Sequence, residues 1–395
     1  KQLQILEPGR VVWADAPIPQ PQAGQVLVKV LGVTTCPHWD LHLMSGEPMF
    51  PGRPLSYPYT PGQPGHEAMG EIAALGPGVD GPSPGTRVAA WRDPGHQSPG
   101  CYAQYVCLDA DNVIGAPATW WSGWSFDEED NGRIVESGAS YCVQAIGGLD
   151  WLADNREAPA TVIAVGFPGD FGGDAAGGFE IWAEENGAEF AGFVETGPNA
   201  AVGNQDAAVQ QVVGSGADVV VLAAGPGEVA EIVGKSAAGG FTGTFLGLAP
   251  TWNPVLLGTE SAPALEALFL HVGTHETYGS DTPAHAAMLE AKGDEVPAND
   301  AYTFGWIWQY PLKAALEAAA DNGDLTREGL RSVTEGLEVD FEGALPNATL
   351  GSDPDRSVTV SKVDPDATLG LSTLDTGYVG PTAQDYDYAG PCFTG

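Results

Sequence analysis

The stretch "NVIGAPATWWSGWSF", from Asn112 to Phe126, separates two kinds of sequence. Residues 1–117 carry 6 basic and 10 acidic side chains, a net charge of −4, whereas residues 118–395 carry 9 and 42, a net charge of −33. The spacing of apolar residues changes at the same place. Because such asymmetry is typical of separate structural units, the stretch predicts a join between two folds, between about Val113 and Trp121.

The overall charge and the hydrophobic pattern exclude two classes of function. A net charge of −37 over 395 residues argues against nucleic-acid binding, because phosphates would be repelled. No run of 18 apolar residues occurs, so we expect no membrane insertion. The first residue is Lys and no leader follows it, which predicts a mature chain or a fragment.

The first segment alternates short apolar runs with glycine and proline. Runs such as "QVLVKVLGVTT" and "CYAQYVCL" predict short strands at close spacing, and hence a small β-barrel. Cys36 and His66 within it are ligand types that zinc prefers, and Glu67 could bind the metal or orient the site. A buried thiol and a hydrogen-bonded histidine would explain the same residues without a metal.

The first segment also resembles a known family. "TTCPHWDLHLMSG", "GHEAMGEIAALGPGV" and "GTRVAAW" are similar to the GroES-like N-terminal domain of zinc-type medium-chain dehydrogenases, over residues 1–116. The resemblance implies catalytic zinc at Cys36 and His66, with Glu67 nearby and Asp40 at the acidic position of the family's motif. The chain departs from the family at Pro37 and His38, and it lacks the cysteine loop for structural zinc.

The second segment alternates buried strands with helices. The pattern predicts a doubly wound parallel α/β sheet, with Gly187, Gly216 and Gly240 at helix C-termini. Strands are predicted at "TVIAVGF", "AEFAGFVET", "ADVVVLAAG" and "FTGTFLGL", and helices at "SGASYCVQAIGGLDWLAD", "GDAAGGFEIWAEENG", "NQDAAVQQVVGSG", "GEVAEIVGKSAAGG", "AYTFGWIWQYPLKAALEAAADNGDL" and "LTREGLRSVTEGL".

One motif in this segment has the position of a dinucleotide-binding loop. "VGFPGDFGGDAAGG", from Val165 to Gly178, follows a strand and opens a helix, but its glycines do not fit G-x-G-x-x-G. Phe171, Asp170 and Asp174 would crowd or repel a pyrophosphate. The motif therefore favours an ordinary strand–turn–helix, and we do not expect NAD(P) to bind.

The second segment resembles a different family. "VIAVGFPGDFGGDAAGGFEIWAEENGAE" and "AYTFGWIWQYPLKAALEAAADNGDLTREGLRSVTEGL" are similar to type I periplasmic binding proteins, the substrate-binding components of branched-chain amino acid-type ABC transporters. The resemblance covers residues 117–395. It implies a C-terminal lobe at about 120–250, and a partial N-terminal lobe and tail at about 251–395. The family's first half-lobe is missing.

The resemblance implies a ligand site between the lobes. The residues placed there are Trp120, Trp121, Ser122, Phe171, Ala224, Gly225, Pro250, Thr251 and Trp252. The acid that often holds an amino-acid ammonium group is absent, and aromatic residues are abundant. We therefore expect a less polar small-molecule ligand, with an ABC permease in the membrane as a candidate partner.

The pattern leaves three interpretations open. The leading one is a ligand-binding protein outside the cytoplasm, without catalytic residues, joined to an incomplete dehydrogenase-like barrel. The alternative is a cytoplasmic, zinc- and NAD(P)-dependent alcohol dehydrogenase, which would need a dinucleotide loop and a third zinc ligand. A third interpretation is a chimeric or misassembled chain with no intact activity.

Cysteine usage bears on the compartment. Of the five cysteines, Cys142 lies at the first helix after the join and Cys392 lies three residues from the end. The tail before Cys392 is irregular and would fray unless it were held in place. A disulfide between Cys142 and Cys392 would hold it and would require an oxidising compartment. Two unrelated thiols are the other possibility.

Overall fold

The computed structural model describes residues 1–33, 37–47, 55–63, 65, 67–79, 84–85, 87–91, 100–110, 113–114, 138–293, 298–350 and 355–393. The chain divides into two compact units. The first comprises Lys1–Pro117 and Ala200–Gly203, and the second comprises Ala118–Asn199 and Asn204–Gly395.

The first unit consists mainly of short antiparallel strands. Its elements are β1 (Gln2–Glu7), β2 (Arg10–Ala14), β3 (Gln25–Val33), α1 (Pro37–Ser45), β4 (Glu67–Leu75), β5 (Arg87–Trp91), β6 (Tyr105–Asp109) and β7 (Val113–Ile114). β1 pairs with β2, and the other strands form a sheet in the order β6-β3-β4-β5-β7. Val28 lies opposite both Ile72 and Val106, and these buried side chains form the centre of the core.

The second unit is built on a seven-stranded, mostly parallel sheet. Its order is β16-β15-β12-β11-β10-β8-β9, and only β15 and β16 run antiparallel to their neighbours. The strands of this unit are β8 (Thr161–Gly166), β9 (Glu189–Glu195), β10 (Val219–Ala223), β11 (Thr244–Leu248), β12 (Phe269–Gly273), β13 (Glu338–Val339), β14 (Ala348–Thr349), β15 (Val358–Val363) and β16 (Leu371–Tyr378). β13 and β14 form a separate pair.

Helices cover the sheet and follow most of its strands. They are α2 (Tyr141–Asn155), α3 (Asp170–Asn186), α4 (Asn199–Val202), α5 (Asp206–Ser215), α6 (Pro226–Ala238), α7 (Ala262–Leu268), α8 (Pro283–Lys292), α9 (Ala301–Ile307), α10 (Gln309–Asp321), α11 (Arg327–Thr334) and α12 (Pro381–Asp385), although residues 200–202 of α4 belong to the first unit. Gly187 and Gly216 end α3 and α5 in the left-handed conformation, with φ of 70° and 69°, as the sequence predicts.

Two expectations about the second unit need correction. The segment predicted as one long helix is divided between α9 and α10, because Pro311 has no N–H to donate to the carbonyl of Ile307. The lobe division at residue 250 is also wrong. β12, β15 and β16 continue the sheet that β8 to β11 begin, because their side chains are covered by the same core. The segment with a small core of its own instead lies within residues 284–345.

In the part of the chain that the structure describes, no helix combines the length and the apolar composition needed to cross a bilayer.

Candidate functional site

The candidate site lies at the edge of the second unit's sheet where its parallel strands end. In parallel α/β sheets this edge is where loops converge and ligands bind. Phe171 follows β8, Ala224 and Gly225 follow β10, and residues 250–252 follow β11. Trp120, Trp121 and Ser122 lie outside the described residues.

The turn between β8 and α3 is built from backbone packed closely on backbone. A Cβ atom at Gly172 would overlap the carbonyl oxygen of Phe167, and one at Gly166 would lie 2.9 Å from the carbonyl oxygen of Ala223. Phe171 packs its ring on Tyr141, with centroids 4.6 Å apart. Glycine at these positions is therefore required by the turn itself.

The next glycines of α3 receive the end of the same chain. A Cβ atom at Gly173 would overlap the ring of Phe393, and one at Gly177 would lie 2.9 Å from the carbonyl oxygen of Cys392. Between them, the buried carboxylate of Asp174 accepts main-chain N–H groups from Cys392 at 2.7 Å and from Phe393 at 3.3 Å. Asp174, Gly173 and Gly177 lie where a dinucleotide-binding loop would be expected, and in this structure they hold the C-terminal tail.

A disulfide fixes this arrangement. Cys142 and Cys392 are bonded, with Cα atoms 6.0 Å apart, which is the pair expected from the sequence. The carboxylate of Asp174 also accepts the N–H of Cys142, at 2.9 Å. One buried side chain therefore holds the main chain on both sides of the bond.

Further contacts anchor the tail upstream of Cys392. The carboxylate of Asp150 accepts the N–H of Ala383 and the indole N–H of Trp182, each at 2.9 Å, while burial raises its pKa. Arg356 donates to the carbonyl oxygens of Ala383 and Tyr386, both at 2.7 Å. The tail is therefore part of the folded second unit.

The residues after β10 and β11 are used largely by the fold. Ala224 and Gly225 are buried, and Pro250 is half-buried. The buried hydroxyl of Thr251 donates to the carbonyl of Leu248 at 2.7 Å. Trp252 packs near Phe269, with centroids 5.9 Å apart, and its indole donates to the carbonyl of Leu369 at 2.9 Å. The donors of Thr251 and Trp252 are thus engaged within the chain.

Two buried polar residues hold the loop after β11. Gln144 accepts the N–H of Ala249 at 3.1 Å, and Nε2 of His271 lies 3.1 Å from the carbonyl oxygen of Ala249. Burial lowers the pKa of His271 to about 4, so the ring is neutral and donates from Nε2. Sequence reasoning missed both residues, although each is a polar residue inside an apolar run, "CVQAIGG" and "FLHVG".

A second polar group follows β12, and we call it the histidine–threonine cluster. Its members are Thr274, His275, His285, Asp300 and Thr303; His275 lies near His285, and Asp300 interacts with Thr303. His275 stacks on Phe304, with centroids 4.5 Å apart. Burial, and then the charges of His285 and His271, lower the pKa of His275 to about 3. Burial raises the pKa of Asp300 to about 6. Sequence reasoning missed this cluster too, although "HVGTH" places two histidines and a threonine at the end of a strand.

Potential metal ligands come together at one place in the described part of the chain. There, the one set of three ligand groups within reach of a single ion is Cys142, Asp174 and Cys392, and its two sulfurs are bonded to each other. Cys36, His66 and the side chain of Glu67 lie outside the described residues. Asp40, the acid of the family's motif, is buried and accepts a hydrogen bond from the hydroxyl of Tyr102 at 2.6 Å.

Two family models match the sequence of the chain. The model described as periplasmic binding protein matches residues 100–364, and the model described as alcohol dehydrogenase GroES-like domain matches residues 22–118. Among curated relatives, an alcohol dehydrogenase from Rhizobium meliloti (strain 1021) is 33% identical over 131 residues, covering 27% of this chain and 36% of that protein. An L-threonine 3-dehydrogenase from Pyrococcus horikoshii is 27% identical over 188 residues, covering 40% of this chain and 53% of that protein. The chain thus spans about a third to a half of these two relatives.

Solved structures resemble the second unit. A fatty acid ABC transporter substrate-binding protein from Thermomonospora curvata matches with a TM-score of 0.59 and 27% identity, over 65% of this chain and 67% of that one. A branched chain amino acid ABC transporter protein from Thermus thermophilus, solved with bound valine, matches with a TM-score of 0.53 and 18% identity, over 66% and 71% of the two chains. Since the binding-protein model matches well over half of the sequence, the chain belongs to the periplasmic binding protein family, and it carries a GroES-like domain of the alcohol dehydrogenase type before that region.

Proposed function

We propose that the second unit binds a small, weakly polar molecule at the C-terminal edge of its sheet and presents it to an ABC transporter. The observation that carries the proposal is the convergence of the loops after β8, β10, β11 and β12 at this edge. Those loops contain no Lys or Arg in residues 166–170, 223–226, 249–253 and 273–282. A site of this kind recognises shape and apolar surface more than charge.

The comparison at 27% identity supports a weakly polar ligand. The protein from Thermomonospora curvata is the substrate-binding protein of a fatty acid ABC transporter. In the present chain, the half-buried rings of Phe171 and Phe304 are apolar surface close to the candidate edge. An α-amino acid is less favoured, because the loop after β11, "APTWN", offers no acid to pair with an ammonium group.

The disulfide supports a location outside the cytoplasm. Bonds such as Cys142–Cys392 form and persist in oxidising compartments. A transporter in the membrane is then the partner that the family resemblance implies. Ligand binding can be tested with the purified chain alone, without knowing its location or its transporter.

A zinc- and NAD(P)-dependent dehydrogenase is the alternative, and the match of residues 22–118 favours it. The seat of the C-terminal tail on α3 weighs against it, because that turn is where the second unit would have to hold a pyrophosphate. Zinc at Cys36, His66 and Glu67 remains a prediction from the sequence. A chain in which neither unit retains its activity is the third candidate.

Thermal unfolding with added ligands tests the proposal. The full chain, without reductant, is heated with octanoate, octanamide, valine or no addition, each at about 1 mM. A ligand present at about 100 times its Kd stabilises by about 2.7 kcal/mol, which raises Tm by several degrees. We expect an increase with an aliphatic compound and little with valine. No increase with any compound would count against binding of weakly polar ligands.

A further inference from the structure

The histidine–threonine cluster contains buried polar atoms that the fold does not satisfy. Among the described residues, Oγ1 of Thr274 and Nε2 of His275 have no hydrogen-bond partner, although the residues are only 2% and 6% exposed. By contrast, Asp300 and Thr303 interact with each other, and His285 bonds the hydroxyl of Thr282 and lies near the main chain of Glu276. Because leaving a buried polar group without a hydrogen bond is unfavourable, two such groups on adjacent residues call for an explanation.

The position of the cluster links it to the candidate site. Thr274 and His275 come directly after β12, at the same sheet edge as the loops after β8, β10 and β11. Thr303 lies beside Phe304, whose ring stacks on His275. His285 is close enough to His275 for its charge to act on that ring. The cluster therefore extends the candidate edge with hydrogen-bonding groups next to an aromatic surface.

The electric charge of the cluster restricts what it can bind. Its two histidines are held neutral by burial, and its one carboxyl group, Asp300, supplies no positive charge. The segment 273–282 adds the acids Glu276 and Asp281 and no Lys or Arg. A carboxylate placed here would be buried without a counter-charge, which is strongly unfavourable. Neutral imidazole and hydroxyl groups are instead suited to a neutral donor and acceptor.

A metal ion would not resolve the unsatisfied atoms. Three ligand atoms within reach of one ion do not occur among the cluster's side chains, as far as the described residues go. The remaining candidates are ordered water and a polar group of a ligand.

We propose that the cluster binds the uncharged, hydrogen-bonding head group of an aliphatic ligand, such as a primary amide, in preference to a carboxylate. This inference rests on the proposed function, because it names the ligand class for the same sheet edge. The aliphatic chain would lie against apolar surface such as Phe304, and Thr274 and His275 would bond the head group. Specificity would then arise from satisfying atoms that are otherwise unpaired.

Matched ligands separate the head group from the chain. Octanamide and octanoate share the same carbon skeleton and are titrated into the full chain at about pH 7.5 by isothermal calorimetry. We expect octanamide to bind at least tenfold more tightly than octanoate. His275→Phe keeps a stacking ring without Nε2, and Thr274→Val keeps the shape without the hydroxyl. Each should weaken octanamide binding about tenfold and leave octanoate binding within about threefold.

Ser236→Ala is the matched control, because Ser236 is another fully buried hydroxyl without a partner but lies on α6. It should leave both affinities within twofold, and circular dichroism checks that every variant is folded. Tighter binding of octanoate than of octanamide would overturn the inference and leave the proposed function standing. Unchanged octanamide affinity in both cluster variants, or ordered water alone at Thr274 and His275 in an octanamide complex, would also overturn it. Binding of neither compound would count against the proposed function as well.

Discussion

The carboxylate of Asp174 accepts a hydrogen bond from the main-chain N–H of Cys392, 218 residues further along the chain, at 2.7 Å. The same carboxylate accepts the N–H of Cys142, the other half of the disulfide. Asp174 is 1% exposed, so these bonds are made in a low-dielectric interior where each is strong. The first turns of α3 and the end of the chain are thus joined by hydrogen bonds and by the disulfide.

Loss of the disulfide should destabilise the second unit. The bond closes a loop of 250 residues, and on the chain-entropy model its removal by Cys392→Ser costs about 5 kcal/mol of unfolding free energy. Urea denaturation with and without reductant measures this cost. Reductant should have no further effect on the variant. If reductant lowered the unfolding free energy of the variant as much as that of the parent, the Cys142–Cys392 bond would not be the cause.

Asp174→Asn should loosen the tail while keeping the size of the side chain. An amide retains one acceptor oxygen but turns an NH₂ group toward N–H donors, so we expect a loss of about 2–4 kcal/mol. Hydrogen exchange of residues 386–393 should accelerate at the same time. Asp385→Asn, at an exposed acid on the same tail, is the control and should change little. Unchanged exchange in Asp174→Asn would show that the bonds do not hold the tail.

Alanine at the glycines of α3 should be destabilising, although alanine usually favours helices. Gly173→Ala places a methyl group against the ring of Phe393, and Gly177→Ala places one against Cys392. We expect a loss of about 1–3 kcal/mol for each, because overpacking outweighs the gain in helix propensity. Gly227→Ala in α6 meets nothing within 4 Å and should be neutral or stabilising by up to about 1 kcal/mol. Thermal unfolding compares the three variants.

His275 should make stability fall as the solution becomes acidic. Its pKa is about 3 in the folded chain and about 6.5 when unfolded, so between these values only the unfolded chain binds the proton. Stability is therefore lost as pH falls below about 6.5, at a rate of roughly 1 kcal/mol per pH unit. In His275→Phe this part of the slope between about pH 6 and 5 should disappear. His271 and His285, whose pKa values burial also lowers, act in the same direction, and Asp300, whose pKa burial raises, acts in the opposite direction; all three remain in His275→Phe. Equal slopes would contradict a buried neutral ring.

Much of the second unit could be predicted because its signals are local. Gly187 and Gly216 mark helix ends, and continuous apolar runs mark β8 and β10. β12 was missed because "FLHVG" is short and contains a histidine, whose partner Ala249 lies elsewhere in the sequence. The division of the long helix was missed although Pro311 was visible, because proline is also tolerated in the first turn of a helix.

The sequence does not show that Gly173 and Gly177 in α3 make room for the end of the chain. Glycine permits close approach, but the pattern does not say whether a phosphate, another helix or the chain's own end approaches. Asp174 and Cys392 meet only after the whole second unit has folded. The histidine–threonine cluster is equally non-local, since His275 stacks on Phe304 and lies near His285, and both partners come from later helices.

The turn between β8 and α3 seats the chain's own tail, and we therefore expect it not to bind a dinucleotide. Titration of the full chain, without reductant, into NADH tests it directly, with the fluorescence of the reduced nicotinamide as the signal. We predict no saturable change in fluorescence up to about 1 mM NADH. Even a Kd of about 1 mM would correspond to only about 4 kcal/mol of binding free energy. Saturable binding of one NADH per chain at micromolar concentration, lost on Gly166→Val, would contradict the claim and favour the dehydrogenase.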